Sequence, residues 1–431
     1  MPREEPIQLH PHPRPFFPWA IWFLSSLFLV YREILIVSPS VMIPELKSSL
    51  SISSQDISLI ASMAIIPFIL FQIPFGILID RFGPRRITSA GILTAAVGCL
   101  IFAMSYNTFS ACFGRALIGI GGAVSFINVI KILSNWFKPQ LFATILGVTI
   151  SLTVLGVLFG DLILVKHIRT FGWRGAMIHY TILGVVLAIL HFIFVSDKNP
   201  ALRYDINPKD RSFNFSFSFK KLLKQKQTWI LTAYATFSEA PLFIFIGIWA
   251  LPFLTAYHHL NLSEATFINN FYLIANAIFA PLFGYLSTKM KNRKLFLILG
   301  TLLATISILS ILHPFTDARF MTILSFICMG IGVAVIPLCY AVMHERTVPQ
   351  LTATSAAILT TFFALLGAAG DQFVGIFLDK RWVESYSKTM YYYSAESLQG
   401  ALLRIPIWFG IAFLISLFIK DTKAKQKYFE D

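Results

Sequence analysis

Twelve long, mostly apolar stretches punctuate this chain and leave it few folds. A bilayer-spanning helix needs about 20 such residues. The stretches occupy positions 17–43, 57–79, 87–104, 110–134, 143–165, 176–195, 229–254, 265–286, 295–312, 320–342, 353–377 and 402–419. Across all 431 residues, 56% are apolar and only 13% charged, with 42 Phe. Charges this sparse do not coat a soluble surface, whereas helices clad in Leu, Ile and Phe suit lipid. The expected fold is therefore all-α: a polytopic membrane protein of twelve transmembrane helices.

The fifth stretch is repeated in the eleventh. Pro139-Gln140-Leu141-x-Ala143-Thr144 returns as Pro349-Gln350-Leu351-x-Ala353-Thr354, Leu155 as Leu365, and Gly160-Asp161 as Gly370-Asp371. An intramembrane bundle has been built twice. Duplication inside a membrane is the usual architecture of secondary transporters, with a solute site at the repeat interface near the midplane. The longest polar interruption, 196–227, parts six stretches from six. The expected organisation is a tail (1–16), a six-helix bundle (17–195), a central loop (196–227), a second six-helix bundle (228–420) and a C-terminal tail (421–431). Within the central loop, Phe213, Phe215, Phe217 and Phe219 alternate and Lys220 and Lys221 follow. The pattern suits either a segment lying along the inner membrane surface or a short strand.

The net charge of +14 does not indicate nucleic-acid binding. With both termini inside, most of the 35 Lys and Arg fall in cytoplasmic loops and tails, which is the positive-inside asymmetry. Arg32, Arg115, Lys131 and Arg404 instead lie within or at the edges of spans. Cys99, Cys112, Cys328 and Cys339 all sit in apolar spans without metal-ligand spacing and read as buried hydrophobes. His10-Pro11-His12 reads as part of a solvated tail, and Tyr391-Tyr392-Tyr393, in the one long outer loop, suits an interfacial aromatic belt.

Span two ends in Gly76-Ile-Leu-Ile-Asp80-Arg81-Phe-Gly83-Pro-Arg85-Arg86. Gly76 allows close helix approach, Gly83 permits a tight turn, and the arginines anchor the loop inside. A degenerate copy, Gly284, Lys289, Arg293 and Lys294, follows span eight, with Thr288 in place of the acid and Lys291 in place of the second glycine. This pair of motifs resembles the loop signature of the major facilitator superfamily, and the resemblance covers essentially the whole chain. It implies two six-helix bundles related by an axis along the membrane normal, rocking about a central site between spans one, four, seven and ten. It also implies that Asp80 locks the inner-closed state by pairing across the halves; topology anchoring alone is the other reading.

Span four carries Arg115-Ala-Leu-Ile-Gly119-Ile-Gly121-Gly122, and positions 115, 119 and 122 share a helical face. Span ten repeats the glycines as Gly330 and Gly332 without the arginine. The element is similar to the superfamily's Arg-x-x-x-Gly-x-Gly motif, whose arginine often faces the cavity; reaching the outer headgroups is the alternative. Span one contains Tyr31-Arg32-Glu33 well inside its apolar run. A charge near the bilayer centre costs about 2.5–3.5 kcal/mol, so it faces a cavity or a partner. Neighbours on a helix point about 100° apart, so Arg32 and Glu33 are not expected to satisfy each other. Arg32 with Pro39 resembles the first span of the organic-anion and sugar-phosphate symporters, where a basic residue binds the substrate anion. A structural pair between Arg32 and an acid of span five or seven is equally open.

Glu239 in span seven lies near the position equivalent to Glu33, while Asp161 and Asp371 are repeat mates toward the outer ends of spans five and eleven. An acid alternately dry and wet is a candidate proton carrier; the order of preference is Glu239, Glu33, then Asp161 and Asp371. Gln72, Asn128, Tyr234, Asn276 and Tyr340 are further polar cavity candidates, and each is as readily interhelical glue. Gly147, Gly156 and Gly160 resemble the glycine frame of the drug–proton antiporters, but Asp161 stands where Gly-Pro would follow. No nucleotide-binding loop, paired-His spacing or nucleophile elbow occurs, so neither enzyme activity nor a cofactor or metal is expected. The expectation is a monomeric, proton-coupled symporter of an organic anion in a bacterial inner membrane. Efflux of a metabolite or siderophore, uptake of amino acids, peptides or sugars, and a non-transporting solute sensor are the alternatives.

Overall fold

The computed structural model describes residues 15–197, 214–313, 319–379 and 395–428. His10-Pro11-His12, Phe213 and Tyr391-Tyr392-Tyr393 lie outside the described residues. Twelve helices are long and apolar enough to cross a membrane, and the described residues contain no strand. In hydrocarbon each backbone group must be satisfied within the protein, which a helix achieves within its own segment. Helix starts are fixed by side chains that accept the otherwise orphaned N–H groups. Ser53 with Asp56 opens span two (Gln55–Phe82), Asn107 with Ser110 opens span four (Thr108–Trp136), and Asn261 with Glu264 opens span eight (Leu262–Lys289). Spans five and six lie within Pro139–Phe194 as two helices that meet at a break at Gly172, where φ 69° and ψ 166° suit a residue without a side chain.

The duplication is visible in the packing. Gly121 of span four lies against Gly91 and Ala95 of span three (Pro84–Ala103), and Gly332 of span ten (Arg319–Arg346) lies in the same way against Gly300 and Ala304 of span nine (Arg293–Leu312). Small residues let backbones approach closely, which is the main source of helix association in lipid. Two six-helix bundles result.

The two halves meet through the duplicated segments themselves. A β-carbon on Gly76 would come within 2.8 Å of the Ala357 methyl in span eleven (Pro349–Leu378), beside Ala353 and Thr354. One on Gly284 of span eight would come within 2.7 Å of the Thr144 Cα in span five, beside Ala143. Each Pro-Gln-Leu-x-Ala-Thr segment thus begins a helix that receives a glycine from the opposite half. This end of the molecule, the basic end, also carries Arg81, Arg85 and Arg86, the helix Phe215–Lys224 and the C-terminal residues up to Tyr428.

Span seven (Lys226–Tyr257) is not regular. It contains Pro241, followed by a π-helical stretch, Phe245–Trp249. Proline lacks an N–H and breaks the hydrogen-bond ladder, and wide turns of this kind are frequent at functional sites. Glu239 stands just before the break.

In the central loop, the strand alternative gives way to a helix. The alternating phenylalanines open a helix, Phe215–Lys224, capped by Asn214, whose side chain accepts from the Phe217 N–H. Its apolar positions 215, 219 and 222 share one face at helical spacing, which overrides the period-two reading. The described part of the C-terminal tail, up to Tyr428, is docked. Asp421 accepts from the Arg293 N–H at 3.1 Å, and the Lys427 N–H donates to the Glu345 carbonyl at 2.6 Å.

Candidate functional site

In the first half, the charges of span one (Phe17–Leu50) face one another: Arg32 Nη2 and Glu33 Oε1 are 2.6 Å apart, with the side chains 13% and 20% exposed. This corrects the expectation that helix neighbours do not satisfy each other. The Arg stem is long enough to fold back, and Gly122 leaves it room, since a β-carbon there would sit 2.8 Å from Arg32 Cγ. The guanidinium also lies 4.9 Å from the Phe68 ring centroid, while its buried Nε has no hydrogen-bond partner.

Arg115 is not in a cavity, nor does it reach headgroups. It is 0% exposed, donating to the carbonyls of Leu35, Ile36 and Ile60. The guanidinium fork satisfies orphan acceptors where the first helix of span one ends near Val37. The glycine face below it holds Arg32 and the Ala64 backbone instead. Tyr31 also turns away, donating to the Tyr180 carbonyl at 3.0 Å inside the first bundle. Asn128 is sealed beside His191, 3.5 Å away, with His191 in turn 3.1 Å from the Ser89 hydroxyl. These three are packing groups rather than cavity walls.

In the second half, Glu239 is partly exposed and lies within electrostatic reach of Tyr234, Tyr272, Cys339 and Tyr340. No cation pairs with it among the ion pairs of the described residues. Tyr340 packs edge-on against Phe126 of span four, with ring centroids 5.2 Å apart, so span ten touches the first half here. Tyr234 is fully buried, donating to the Leu297 carbonyl at 3.3 Å between spans seven and nine, which removes it from the candidate lining. Asn276 remains partly exposed on span eight. Gln72 accepts from the Thr361 hydroxyl at 3.5 Å, a polar contact between the halves. Asp371 faces the indole of Trp249 in the π-helical stretch, whereas the side chain of its mate Asp161 lies outside the described residues.

At the basic end Asp80 gathers donors from both halves. Lys131 Nζ of span four donates to Oδ1 at 2.7 Å and to the Pro349 carbonyl at 2.8 Å. The N–H and hydroxyl of Thr354 each donate to Oδ2 at 2.7 Å, and the Ala353 N–H donates to Oδ1 at 3.3 Å. A carboxylate at a helix N-terminus meets free N–H groups and the positive end of the dipole. Arg81 stacks over the Phe215 ring at 4.4 Å. Gly83 has φ 89°, and Asp197 lies over it, accepting from the Arg85 N–H at 2.8 Å. Arg86 is exposed.

Sequence reasoning missed three partners here. Lys131 shows in the sequence only as a charge within a span. His344 stacks on Phe142 across the halves at 4.4 Å and 13°, and only its apolar surroundings distinguished it in the sequence. Glu345 is paired with Arg293 at 2.9 Å, both side chains almost wholly buried. In this second copy of the loop motif, Arg293 also takes the Ser287 and Thr288 hydroxyls at 2.7 and 2.8 Å, and Thr288 donates to the Gln140 carbonyl at 3.3 Å. The missing acid is thus replaced by a hydroxyl bridge to span five.

The chain is similar in sequence to known membrane proteins. It is 23% identical to the nitrite extrusion protein of Bacillus subtilis (strain 168) over 82% of this chain and 85% of that protein. It is 27% identical to the hexuronate transporter of the same organism over 49% of this chain, spanning 50% of that protein's length. Its fold matches that of XylE, a proton:xylose symporter solved bound to 6-bromo-6-deoxy-D-glucose, with a TM-score of 0.69 over 95% of this chain and 97% of that chain. At 15% identity that likeness is one of fold alone. The model of the Major Facilitator Superfamily matches residues 21–370, and with twelve candidate spans arranged as two duplicated bundles the chain belongs to that superfamily of transporters.

Proposed function

We propose that this protein moves a small organic anion across a bacterial inner membrane by alternating access, in symport with protons, with both termini cytoplasmic and the chain acting as a monomer. The observation that carries this reading is the state of Arg32. Arg115 and Arg293 are buried with their donors directed at fixed protein acceptors. Arg32 is partly exposed, shares one edge with Glu33 and keeps Nε without a partner. A guanidinium with spare donors, held over an aromatic ring in a low-dielectric bundle, suits a carboxylate that arrives and leaves. The names of the two relatives support an anion, because nitrite and hexuronate are both anions, and hexuronate is an organic carboxylate.

In this reading a substrate carboxylate competes with Glu33 for Arg32, and Glu239 and Glu33 are the first candidates to carry protons. Asn276 and Tyr340 complete the lining from the second half. The Asp80 cluster is the lock of the basic end. A thermal-shift screen of organic anions at two pH values, followed by uptake of each hit into proteoliposomes, tests the assignment. Arg32→Gln should abolish both the shift and the transport of a hit; retained binding by that variant overturns the anion assignment.

The direction of transport has a second reading, export, supported by the nitrite extrusion protein as a relative over most of this chain. Accumulation in right-side-out against inside-out vesicles separates the two.

A further inference from the structure

The helix Phe215–Lys224 has two faces. Positions 215, 219 and 222 point inward. Leu222 is buried against Leu351 and Ile358 of span eleven, with Ile73 of span two and Val348 packed alongside. Phe215 lies beneath the Arg81 guanidinium and its ring stacks with Phe219. The helix therefore touches both halves beside the Asp80 cluster.

The opposite face carries Phe217, Lys220, Lys221 and Lys224, spaced i, i+3, i+4 and i+7. Phe217 is 67% exposed, and the three lysines are exposed around it. The depth of this face follows from Trp229. Its indole N–H donates to the Leu223 carbonyl at 2.7 Å, its ring packs on Phe362 of span eleven, and it is 42% exposed on the outside of the bundle. A tryptophan on the outer surface at the start of a span marks the headgroup level. An amphipathic helix pinned at that level, with an aromatic wedge among lysines, fits an anionic lipid surface by charge and by shape.

The geometry points to a lipid-binding surface: Phe217, Lys220, Lys221 and Lys224 bind anionic phospholipid headgroups of the leaflet at the basic end, and this binding clamps the two halves shut there. Lipid holds the outer face of the helix while Leu222 and Phe215 hold the inner face against spans two and eleven. Neutral lipid leaves the clamp weaker. The clamp is independent of which solute the protein carries.

Hydrogen–deuterium exchange in nanodiscs tests this without a known substrate. The discs contain phosphatidylcholine alone or with about a third phosphatidylglycerol. The readouts are the amides of residues 215–224 and those of Ala353 and Thr354, which donate to Asp80. With phosphatidylglycerol, both groups should exchange about tenfold more slowly. The triple variant Lys220→Gln, Lys221→Gln, Lys224→Gln should lose that protection while keeping its melting temperature. A second triple variant, Lys289→Gln, Lys291→Gln, Lys294→Gln, alters another basic loop and should keep the protection. Equal exchange of the unmodified protein in both lipids overturns the proposal. So does protection that survives in the first variant, or that is lost equally in both.

Discussion

Asp80 Oδ2 accepts two hydrogen bonds of 2.7 Å from Thr354, one from its backbone N–H and one from its hydroxyl, although the residues stand 274 positions apart. One side chain thereby caps a helix of the opposite half. Span eleven begins with free N–H groups and the positive end of its dipole, and Lys131 completes the cluster from span four. The contact depends on closure, because it joins groups from the two halves.

Asp80→Asn should therefore shift the equilibrium toward an open basic end. Hydrogen bonds to a charged group are worth about 1.5–3 kcal/mol each, and removing the charge also leaves Lys131 without its anion. A change of about 1.4–3 kcal/mol moves a two-state population by roughly 10- to 100-fold. Spin labels at the exposed positions Lys138 and Lys289, one on each half, should report a longer distance. Thr354→Val should give a smaller change in the same direction. An unchanged distance distribution in Asp80→Asn would refute the lock.

Gly122→Ala tests how Arg32 is positioned. The added methyl would stand 2.8 Å from Arg32 Cγ, well inside contact distance, so the Arg stem must move. Displacement by a fraction of an ångström weakens the guanidinium's hold on an anion, and about tenfold poorer affinity corresponds to about 1.4 kcal/mol. Dissociation constants for an anionic hit should rise while the melting temperature stays near that of the unmodified protein. Gly121→Ala is the contrast. Its β-carbon would clash with span-three backbone at Ala95, so that variant should lose stability instead.

The sequence showed the scaffold far more clearly than the placement of its polar groups. Apolar runs and the Pro139–Thr144 repeat are local signals, and the same backbone contacts that created them in one half recur in the other. The site of Arg115 is not legible in the sequence because its partners are main-chain carbonyls at the end of a helix, which carry no residue signature. The Asp80–Lys131 pair spans 51 positions and belongs to no periodic pattern. Arg32 and Glu33 defied the helical-angle argument because a flexible stem over Gly122 can turn back, a freedom the angle between Cβ vectors does not describe.

The Arg293–Glu345 pair should behave as a structural element. Both side chains are almost wholly buried at 2.9 Å, and the second Glu345 oxygen accepts from the Thr422 hydroxyl, tying the C-terminal segment to span ten. Breaking a buried pair by removing one charge costs about 3–5 kcal/mol, because the remaining charge is uncompensated. Glu345→Gln should lower the melting temperature markedly and expose residues 420–428 to protease. Joint replacement by Arg293→Met and Glu345→Leu should be less damaging than Glu345→Gln alone. The opposite order would mean the pair contributes chiefly through the docking of Thr422.

Glu239→Gln addresses coupling. The residue precedes the Pro241 break in span seven, is partly exposed, and stands near Tyr272 and Tyr340 without a cation among the described ion pairs. A carboxyl so placed can take a proton on one side and release it on the other only if burial changes during the cycle. Glutamine keeps the shape and removes the titration. A variant that has lost its proton carrier should still exchange labelled solute for unlabelled solute across a vesicle membrane, because exchange requires no net proton movement. It should fail to concentrate solute when a pH gradient is imposed, and its exchange rate should become insensitive to pH over the range in which the unmodified protein responds. Glu33→Gln should act differently, since it also frees Arg32 from its partner: binding of an anionic hit should tighten and its release should slow. If Glu239→Gln still concentrates solute, the proton passes elsewhere, and Asp371 beside Trp249 becomes the next group to replace.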